Sequence, residues 1–373
     1  MSEQTKTPPS GPGSQVPRHQ DLVEWYFERD WGDGLPVVPP TEEKVAAAVE
    51  ALGGEPELVE CRVPPRLGGL TREILAVNLV MAGCKPAYAP LVRAAMLALC
   101  DPHFNLNGVQ ATTHMASPLL VVNGPIRREI GMNAGVNVFG SGNRANATIG
   151  RALRLVMLNV GGATPGDLDK STLGHPGKYT YCIAENEELS PWAPYHVEHG
   201  YQPGDSTVFV IAAEAPHSVT NHVANDPEGI LDSIVSAMST IAHNNAVSSG
   251  SCAVVIGPEH ATTIAAKGWT RNDVKNYLWA NAHNAFGELA FNHRYGKVYN
   301  RNLPRWYKRE LDSPIPIVPG PENIHLFVAG GEAGRFSAFI PGWGHMTNPV
   351  LRAVDGRPPA NGAAVCQDGS CLL

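Results

Sequence analysis

Apolar residues recur along the chain with two different spacings, and the alternation of those spacings predicts an α/β protein. Helical spacing appears in residues 71–83, 87–100 and 145–160, while short apolar runs typical of buried strands occupy 119–122, 206–213, 252–256 and 324–329. Thr41, Asp226 and Thr270 stand where helix N-caps are expected. Strand and helix signals alternate through most of the chain, which is the order of elements found in α/β folds.

Two parts of the chain repeat the same order of elements. One strand ends in L-V-V-N-G-P at 120–125 and another ends in A-V-V-I-G-P at 253–258. This echo predicts two similar β-α-β-α lobes around a central cleft, the first in residues 19–205 and the second in 206–355. The alternative is that any α/β chain shows such repetition. Residues 1–18 are predicted to be a disordered tail and 356–373 a flexible one.

Composition and charge narrow the classes of function. The chain has 373 residues, of which 43% are hydrophobic and 17% charged, and its formal net charge is −7. No nucleic-acid or anionic-membrane partner is expected, because no long basic cluster is present. The first eighteen residues lack the apolar segment of a signal peptide, and no apolar run reaches the ~20 residues of a membrane helix. We therefore expect a cytoplasmic protein with reduced thiols. Five of the seven cysteines lie in apolar surroundings and are predicted to be inert core residues: Cys61, Cys84, Cys100, Cys182 and Cys252.

A Gly/Asn-rich loop before the long helix is the first candidate site. Unpaired N–H groups at a helix N-terminus bind anions, and arginine adds bidentate contacts. The expected substrate-binding residues are Gly140, Gly142, Asn143, Arg144 and Asn146. The dinucleotide fingerprint is incomplete, because Ala145 stands at its third glycine position. The alternative is a capped helix after a turn.

Histidines and a long polar loop supply further candidates. His114 follows two threonines before a strand, and His217 ends the turn A-E-A-P-H; the echo predicts that they lie at equivalent ends of the two lobes. Glu185 ends the run Y-C-I-A, where partial burial is expected to raise its pKa to a useful value. Lys178 lies in the same loop and is a candidate substrate ligand. The alternatives are satisfied structural histidines and a solvated surface loop.

Two cysteines stand in the C-terminal tail. Cys366 and Cys371 are five residues apart in a glycine-containing segment. Such a pair can close a small disulfide ring and carry electrons to a buried site by thiol–disulfide exchange. An idle tail and a weak metal-binding end are the alternatives.

Four stretches of the chain resemble one bacterial family. They are D-G-L-P-V-V-P-P-T, A-T-T-H-M-A-S-P-L-L-V-V-N-G-P, N-R-A-N-A-T-I-G-R-A-L-R-L and P-G-K-Y-T-Y-C-I-A-E-N. The family is uncharacterised and is associated with the UGSC-motif selenoproteins; the resemblance spans about residues 33–344. It implies no reaction. The tail G-S-C at 369–371 is similar to the motif, but Asp368 stands where selenocysteine would be and Cys366 lies two residues earlier. This similarity favours thiol-based redox chemistry.

Three functional hypotheses follow from these residues. The first is a thiol-dependent oxidoreductase acting on a small anionic substrate, with Cys366 and Cys371 as redox pair and with His114, Glu185 and His217 as acid–base candidates. The second is a metal-dependent lyase or hydrolase that uses some of four histidines: His114, His196, His199 and His217. The third is a non-catalytic partner subunit of a UGSC-type selenoprotein. A thiol reductant is an expected partner of the first. We also expect a homo-oligomer, and the sequence identifies no cofactor.

Overall fold

The computed structural model describes residues 21–290 and 310–360. Its helices are α1 (Leu22–Phe27), α2 (Glu42–Ala51), α3 (Arg72–Ala82), α4 (Ala89–Leu99), α5 (Leu106–Ala111), α6 (Ile126–Glu129), α7 (Arg144–Asn159), α8 (Tyr195–Glu198), α9 (Pro227–Met238), α10 (Asn244–Ser248), α11 (Pro258–Ala265), α12 (Arg271–Asn281) and α13 (Phe286–Ala290). Its strands are β1 (Val59–Val63), β2 (Gly68–Thr71), β3 (Ser117–Asn123), β4 (Cys182–Ala184), β5 (Thr207–Ala213), β6 (His217–Thr220), β7 (Cys252–Ile256), β8 (His283–Ala285), β9 (Pro314–Pro316), β10 (Ile324–Val328), β11 (Phe336–Ile340) and β12 (Val350–Ala353). The α/β character expected from the sequence is confirmed.

Short polar side chains begin the principal helices. The side chain of Asp226 accepts the N–H of the third residue of α9, and Thr270 with Asp273 forms a reciprocal capping box on α12. Each such cap satisfies a backbone donor that the helix itself leaves unpaired. Thr41 stands at the N-cap position of α2, but its side chain makes no capping hydrogen bond.

Two four-stranded sheets carry the fold, and they share one pattern of strand directions. The first has the order β12-β5-β3-β4 and the second the order β6-β11-β7-β10. In each sheet the last-named strand is parallel to its neighbour, and the other two pairings are antiparallel. The strands that carry L-V-V-N-G-P and A-V-V-I-G-P, β3 and β7, hold the same position in the two sheets.

The two sheets exchange a strand. After β5 the chain leaves the first sheet and adds β6 to the edge of the second, where it pairs with β11. After β11 it leaves the second sheet and adds β12 to the edge of the first, where it pairs with β5. We call the two connections, 214–216 after β5 and 341–349 after β11, the crossing segments. They lie against each other, and Ala213 and Gly342 form an isolated antiparallel bridge there. The first sheet therefore contains strands from both halves of the chain.

The sheets pack face to face, with helices on their outer surfaces. Alternate residues of every central strand point inward and form one buried apolar cluster between the sheets, which includes Leu119, Phe209, Val255 and Phe327. The other face of the first sheet packs on α3, α4 and α7, and the other face of the second packs on α9, α11 and α12. An arrangement of two lobes around a central cleft is not confirmed, because side chains fill the space between the sheets.

In residues 21–290 and 310–360, no single helix is both long and apolar enough to cross a membrane. One bent pair of helical segments, 72–82 and 86–99, is long and apolar enough for a span when only length and composition are considered. The apolar side chains of this pair lie in the core beneath the first sheet.

Candidate functional site

A carboxylate held by a histidine stands where the two exchanged segments cross. Glu214 follows directly after β5, and its backbone N–H donates to the Pro341 carbonyl at 2.8 Å. His114 lies in the loop before β3, and its Nε2 is 2.9 Å from Oε1 of Glu214. Because β3 and β5 are antiparallel neighbours, the residue before one and the residue after the other meet at the same end of the sheet.

Local hydrogen bonds fix the proton of His114. The Ala116 N–H donates to its Nδ1 at 3.1 Å, so Nδ1 is an acceptor and Nε2 carries the proton that is donated to Glu214. The same oxygen of Glu214, Oε1, also accepts the Asn244 N–H at 3.1 Å. Among the described residues, none donates a recorded hydrogen bond to Oε2, and the side chain keeps 17% of its surface exposed. The arrangement therefore presents one anchored carboxylate oxygen and one to which no described residue donates a recorded hydrogen bond.

The electrostatic surroundings keep Glu214 ionised. Burial tends to raise its pKa, but the hydrogen bond and charge interaction with His114 and the Asn244 N–H outweigh burial, so the pKa lies below the ordinary glutamate value. Glu214 is thus a desolvated anion at neutral pH.

Two more histidines and a tyrosine surround this pair. His175 accepts the Gly177 N–H at Nδ1 and lies 3.3 Å from the Ala213 carbonyl through Nε2. Burial lowers the pKa of His175 and of His243, so both rings are neutral at pH 7. The Tyr181 hydroxyl donates to the Glu214 carbonyl at 3.0 Å. We call the group His114, His175, Tyr181, Glu214 and His243 the Glu214 cluster.

Two small cavities lie beside the cluster, on either side of the segment 136–141. One, of about 340 Å³, is lined by His175, Tyr181 and Pro216, and by Gly140 and Asn146 of the glycine-rich loop. The other, of about 440 Å³, shares Gly140 and Pro216 and extends along the inner edge of the second sheet. Pro216 is two residues from Glu214, so both cavities approach the crossing segments.

A larger cavity of about 840 Å³ is lined by the long polar loop. Asp169 accepts hydrogen bonds from Lys178 at 2.8 Å and from Arg154 at 3.3 Å, and all three side chains are largely buried. Burial is the main effect on Lys178 and lowers its pKa. His175 also lines this cavity, so one member of the Glu214 cluster forms part of the cavity wall. Lys178 therefore lines a ligand-sized space, but its ammonium group is already paired, and its role as a substrate ligand stays a prediction.

Glu185 does not join His114. Glu185 follows β4 directly, at the end of the first sheet opposite to His114. The seven-residue β3 separates these two ends of the sheet by about 20 Å. Glu185 is fully buried, forms an ion pair with Arg271 at 2.9 Å and accepts hydrogen bonds from Asn123 and the Tyr195 N–H. The structure therefore gives Glu185 a structural place instead of the expected position at the mouth of a site.

The glycine-rich loop is engaged mainly within the protein. The Asn143 side chain accepts the Asn146 N–H at the start of α7, and Arg144 donates to the Gly83 carbonyl. The Asn146 side chain is bonded to the backbone of Asn133 through both its oxygen and its nitrogen. Gly142 has a φ of +118°, a conformation that favours glycine. The expected anion site at this loop is not assembled, because the capping side chain takes the donor that an anion would use.

The histidines named for a metal site are dispersed. His217 begins β6, is exposed and is not the topological counterpart of His114, because β6 corresponds to β12. His196 and His199 lie on and after α8, and His199 stacks on Tyr195. In the part of the chain that the structure describes, no group of three or more His, Cys, Asp or Glu residues is placed to hold a metal ion. Cys366 and Cys371 lie outside the described residues.

Glu214, His175 and His243 are members of the cluster that the sequence did not reveal, and Glu214 is the central one. Its signal was present: an acid follows immediately after the seven-residue, fully buried strand β5. No family model matches the chain, and neither a curated protein nor a solved structure is detectably similar to it. The resemblance to the UGSC-associated family stays a prediction.

Proposed function

We propose that the protein is an enzyme in which Glu214 accepts a proton from a small substrate. One observation supports this role above all: Glu214 is a desolvated, ionised carboxylate with one oxygen fixed by His114 and Asn244 and the other unbonded. A fixed base needs no reorganisation when the substrate arrives, which is the main source of its catalytic advantage. His114 is then a positioning residue, since its ring donates to the base without meeting the substrate.

The substrate that we propose is a small anionic molecule with an acidic proton. Arg154 and Lys178 line the 840 Å³ cavity. Both donate to the same carboxylate, that of Asp169, so two positive charges face one negative charge. Asp30 and Asp33 lie on the same cavity, and Asp33 is paired with Arg151. A carboxylate or phosphate group of the substrate would bind at the Arg154 guanidinium, which suits planar, bidentate recognition. This assigns the expected anion contact to Arg154 instead of Arg144.

The test is a comparison of three full-length proteins. Wild type, Glu214→Gln and Asp167→Asn are incubated in D₂O with a defined panel of hydroxy acids, amino acids and their phosphate esters, and consumption and deuterium uptake are followed by mass spectrometry. Asp167 is an exposed carboxylate and serves as the matched control. We expect wild type and Asp167→Asn to act equally, and Glu214→Gln to lose about 10²–10⁴-fold in rate, the usual contribution of a positioned base. Turnover that survives in Glu214→Gln would overturn the proposal.

A second substitution separates positioning from structure. His114→Gln removes the ring that donates to Glu214, so the pKa of Glu214 is expected to rise. The acidic limb of the pH–rate profile should then move to higher pH, which a merely structural change would not produce.

Thiol-dependent oxidation or reduction is our second proposal. It depends on the tail cysteines Cys366 and Cys371, and the Glu214 cluster would supply its proton transfers. Replacing both cysteines with serine is expected to abolish turnover with a thiol reductant and to leave proton exchange at the Glu214 cluster intact. Unchanged reductant-dependent turnover would exclude it.

We further propose that the two sheets arose by internal duplication. The shared order of strand directions and the matching ends of β3 and β7 support it. Gly124→Ala and Gly257→Ala are both expected to lower stability, because an added Cβ would clash with a backbone carbonyl oxygen at each position, that of Asp205 and that of Phe336; a loss at only one of the two would argue against equivalence.

A further inference from the structure

Two of the cysteines expected to be inert lie against each other. Cys61 is on β1 and Cys100 is the C-cap residue of α4, and their Sγ atoms are 3.0 Å apart. Neither residue is fully buried. Both lie on regular elements, since β1 pairs with β2 and α4 packs in the core beneath the first sheet. The fold itself therefore holds the two sulfur atoms in contact.

We propose that Cys61 and Cys100 form a reversible disulfide, with a low-molecular-weight disulfide of the glutathione class as oxidant. The Cys61 thiolate attacks one sulfur of the oxidant, the oxidant's S–S bond breaks, and one thiolate leaves. The Cys100 thiol then loses its proton and attacks Sγ of Cys61, which expels the second thiol. Two protein thiols are oxidised to one disulfide, and one small disulfide is reduced to two thiols.

The surroundings make Cys61 the attacking residue. The hydrogen-bonding contact with Cys100 lowers the pKa of Cys61, and the same contact raises the pKa of Cys100. Cys100 also lies at the C-terminal end of a helix, where the helix dipole disfavours a thiolate. Glu60 precedes Cys61 and its charge tends to raise the pKa of Cys61, but the contact with Cys100 is the larger effect, and Arg72 and Arg93 both pair with the Glu60 carboxylate at 2.7 Å. Nucleophile and resolving cysteine are thereby distinguished.

The remaining described cysteines do not offer such a pair. Cys182 and Cys252 are buried in the core, and burial raises the pKa of Cys252 to about 12. Cys84 donates its S–H to the Thr148 carbonyl at 3.2 Å, and burial raises its pKa to about 12 as well. These thiols are expected to stay reduced while Cys61 reacts.

The test counts thiols in the full-length chain with Cys366→Ser and Cys371→Ser, which leaves five of the seven cysteines. The protein is equilibrated with oxidised glutathione or with dithiothreitol, denatured, alkylated and weighed, and its peptides are mapped. We expect two fewer alkylated cysteines after oxidation, one peptide that joins Cys61 to Cys100, and full recovery on reduction. Five alkylated cysteines under both conditions would overturn the proposal, as would a disulfide between other residues.

Single substitutions in that background test the order of attack. Cys100→Ser is expected to trap glutathione on Cys61, because the resolving thiol is missing. Cys61→Ser should leave Cys100 unmodified, and Cys84→Ser, the control, should still form the disulfide. Glutathione found on Cys100 in Cys61→Ser would contradict the assignment of Cys61 as nucleophile. The thiol count of the parent protein needs no substitution at either position, so it decides the proposal even where a variant does not fold.

Discussion

Removing the cation from the ion pair of Glu185 and Arg271 should destabilise the protein severely. The two side chains keep 0% and 2% of their surface exposed, and they meet at 2.9 Å at the end of β4. Arg271 also donates to the carbonyl groups of Leu326 at 3.0 Å and Ala193 at 2.8 Å. In Arg271→Met the methionine fills much of the volume, but the buried Glu185 carboxylate loses its cation and two carbonyl groups each lose the donor that Arg271 supplies.

The magnitude follows from what is left unpaired. Breaking a buried ion pair by removing one partner costs about 3–5 kcal/mol, so we expect Arg271→Met to lose about 4 kcal/mol or more of unfolding free energy. Glu185→Gln should cost less, because Glu198 remains 3.4 Å from Arg271 and compensates part of its charge. The loss of stability in the double variant should be smaller than the sum of the two single losses, because no ionised carboxylate is then left at position 185 without its cation.

Urea unfolding followed by circular dichroism measures these differences directly. The matched control is Asp167→Asn, which breaks the exposed pair with Arg66 and should change stability by about 0–1 kcal/mol. A loss in Arg271→Met no larger than that of the control would refute the reasoning. It would mean that water reaches Glu185 and that the residue is available for chemistry after all.

Three further predictions can be checked by the same unfolding assay. Gly124→Ala is expected to lower the urea midpoint strongly, because Gly124 has a φ of +85° and a Cβ there would clash with the Asp205 carbonyl. Gly131→Ala, at φ +69° with open space around it, isolates the backbone strain and should cost less. The stability difference between wild type and Glu214→Gln should be constant above the ordinary glutamate pKa of 4.5 and shrink as pH falls through the lower folded-state pKa. His325→Phe should flatten the loss of stability between pH 6.5 and 3, because burial lowers the pKa of His325 to about 3 and only the unfolded chain binds the proton in that range. Parallel pH curves for variant and wild type would contradict either of the last two predictions.

Elements with strong local patterns can be predicted from the sequence. The apolar run at 252–256 matches β7, and the periodic segment 145–160 matches α7 to within one residue at each end. The strands β6 and β12 were not predicted. β6 is exposed at three of its four residues and therefore carries little apolar signal. Its partner β11 is distant in sequence, so its place in the sheet depends on pairing that local pattern does not encode.

The candidate site shows the same division. His114 can be singled out from the sequence because it has a chemically reactive side chain and lies close to the start of a buried strand. Glu214 cannot be singled out from the sequence, since an acid after a strand is also the usual start of a solvated turn. Its importance comes from His114, exactly 100 positions away in sequence. Glu185 was expected to be reactive for the opposite reason, because its neutralising partner Arg271 lies 86 residues further along the chain.

The two carboxylates at opposite ends of the first sheet show how the fold separates structure from chemistry. Glu185 is paired with the Arg271 guanidinium, and both of its oxygens accept hydrogen bonds. Its negative charge is therefore neutralised within the protein. Glu214 stands where each sheet gives a strand to the other, and the crossing segments satisfy each other's backbone through Pro341 and Trp343. Neither sheet extends past that point to cover the side chain. Its recorded donors, the His114 ring and the Asn244 N–H, both reach Oε1. Glu214 is therefore an ionised carboxylate with one oxygen held in place, and for that reason we propose that the proton transfer takes place at Glu214.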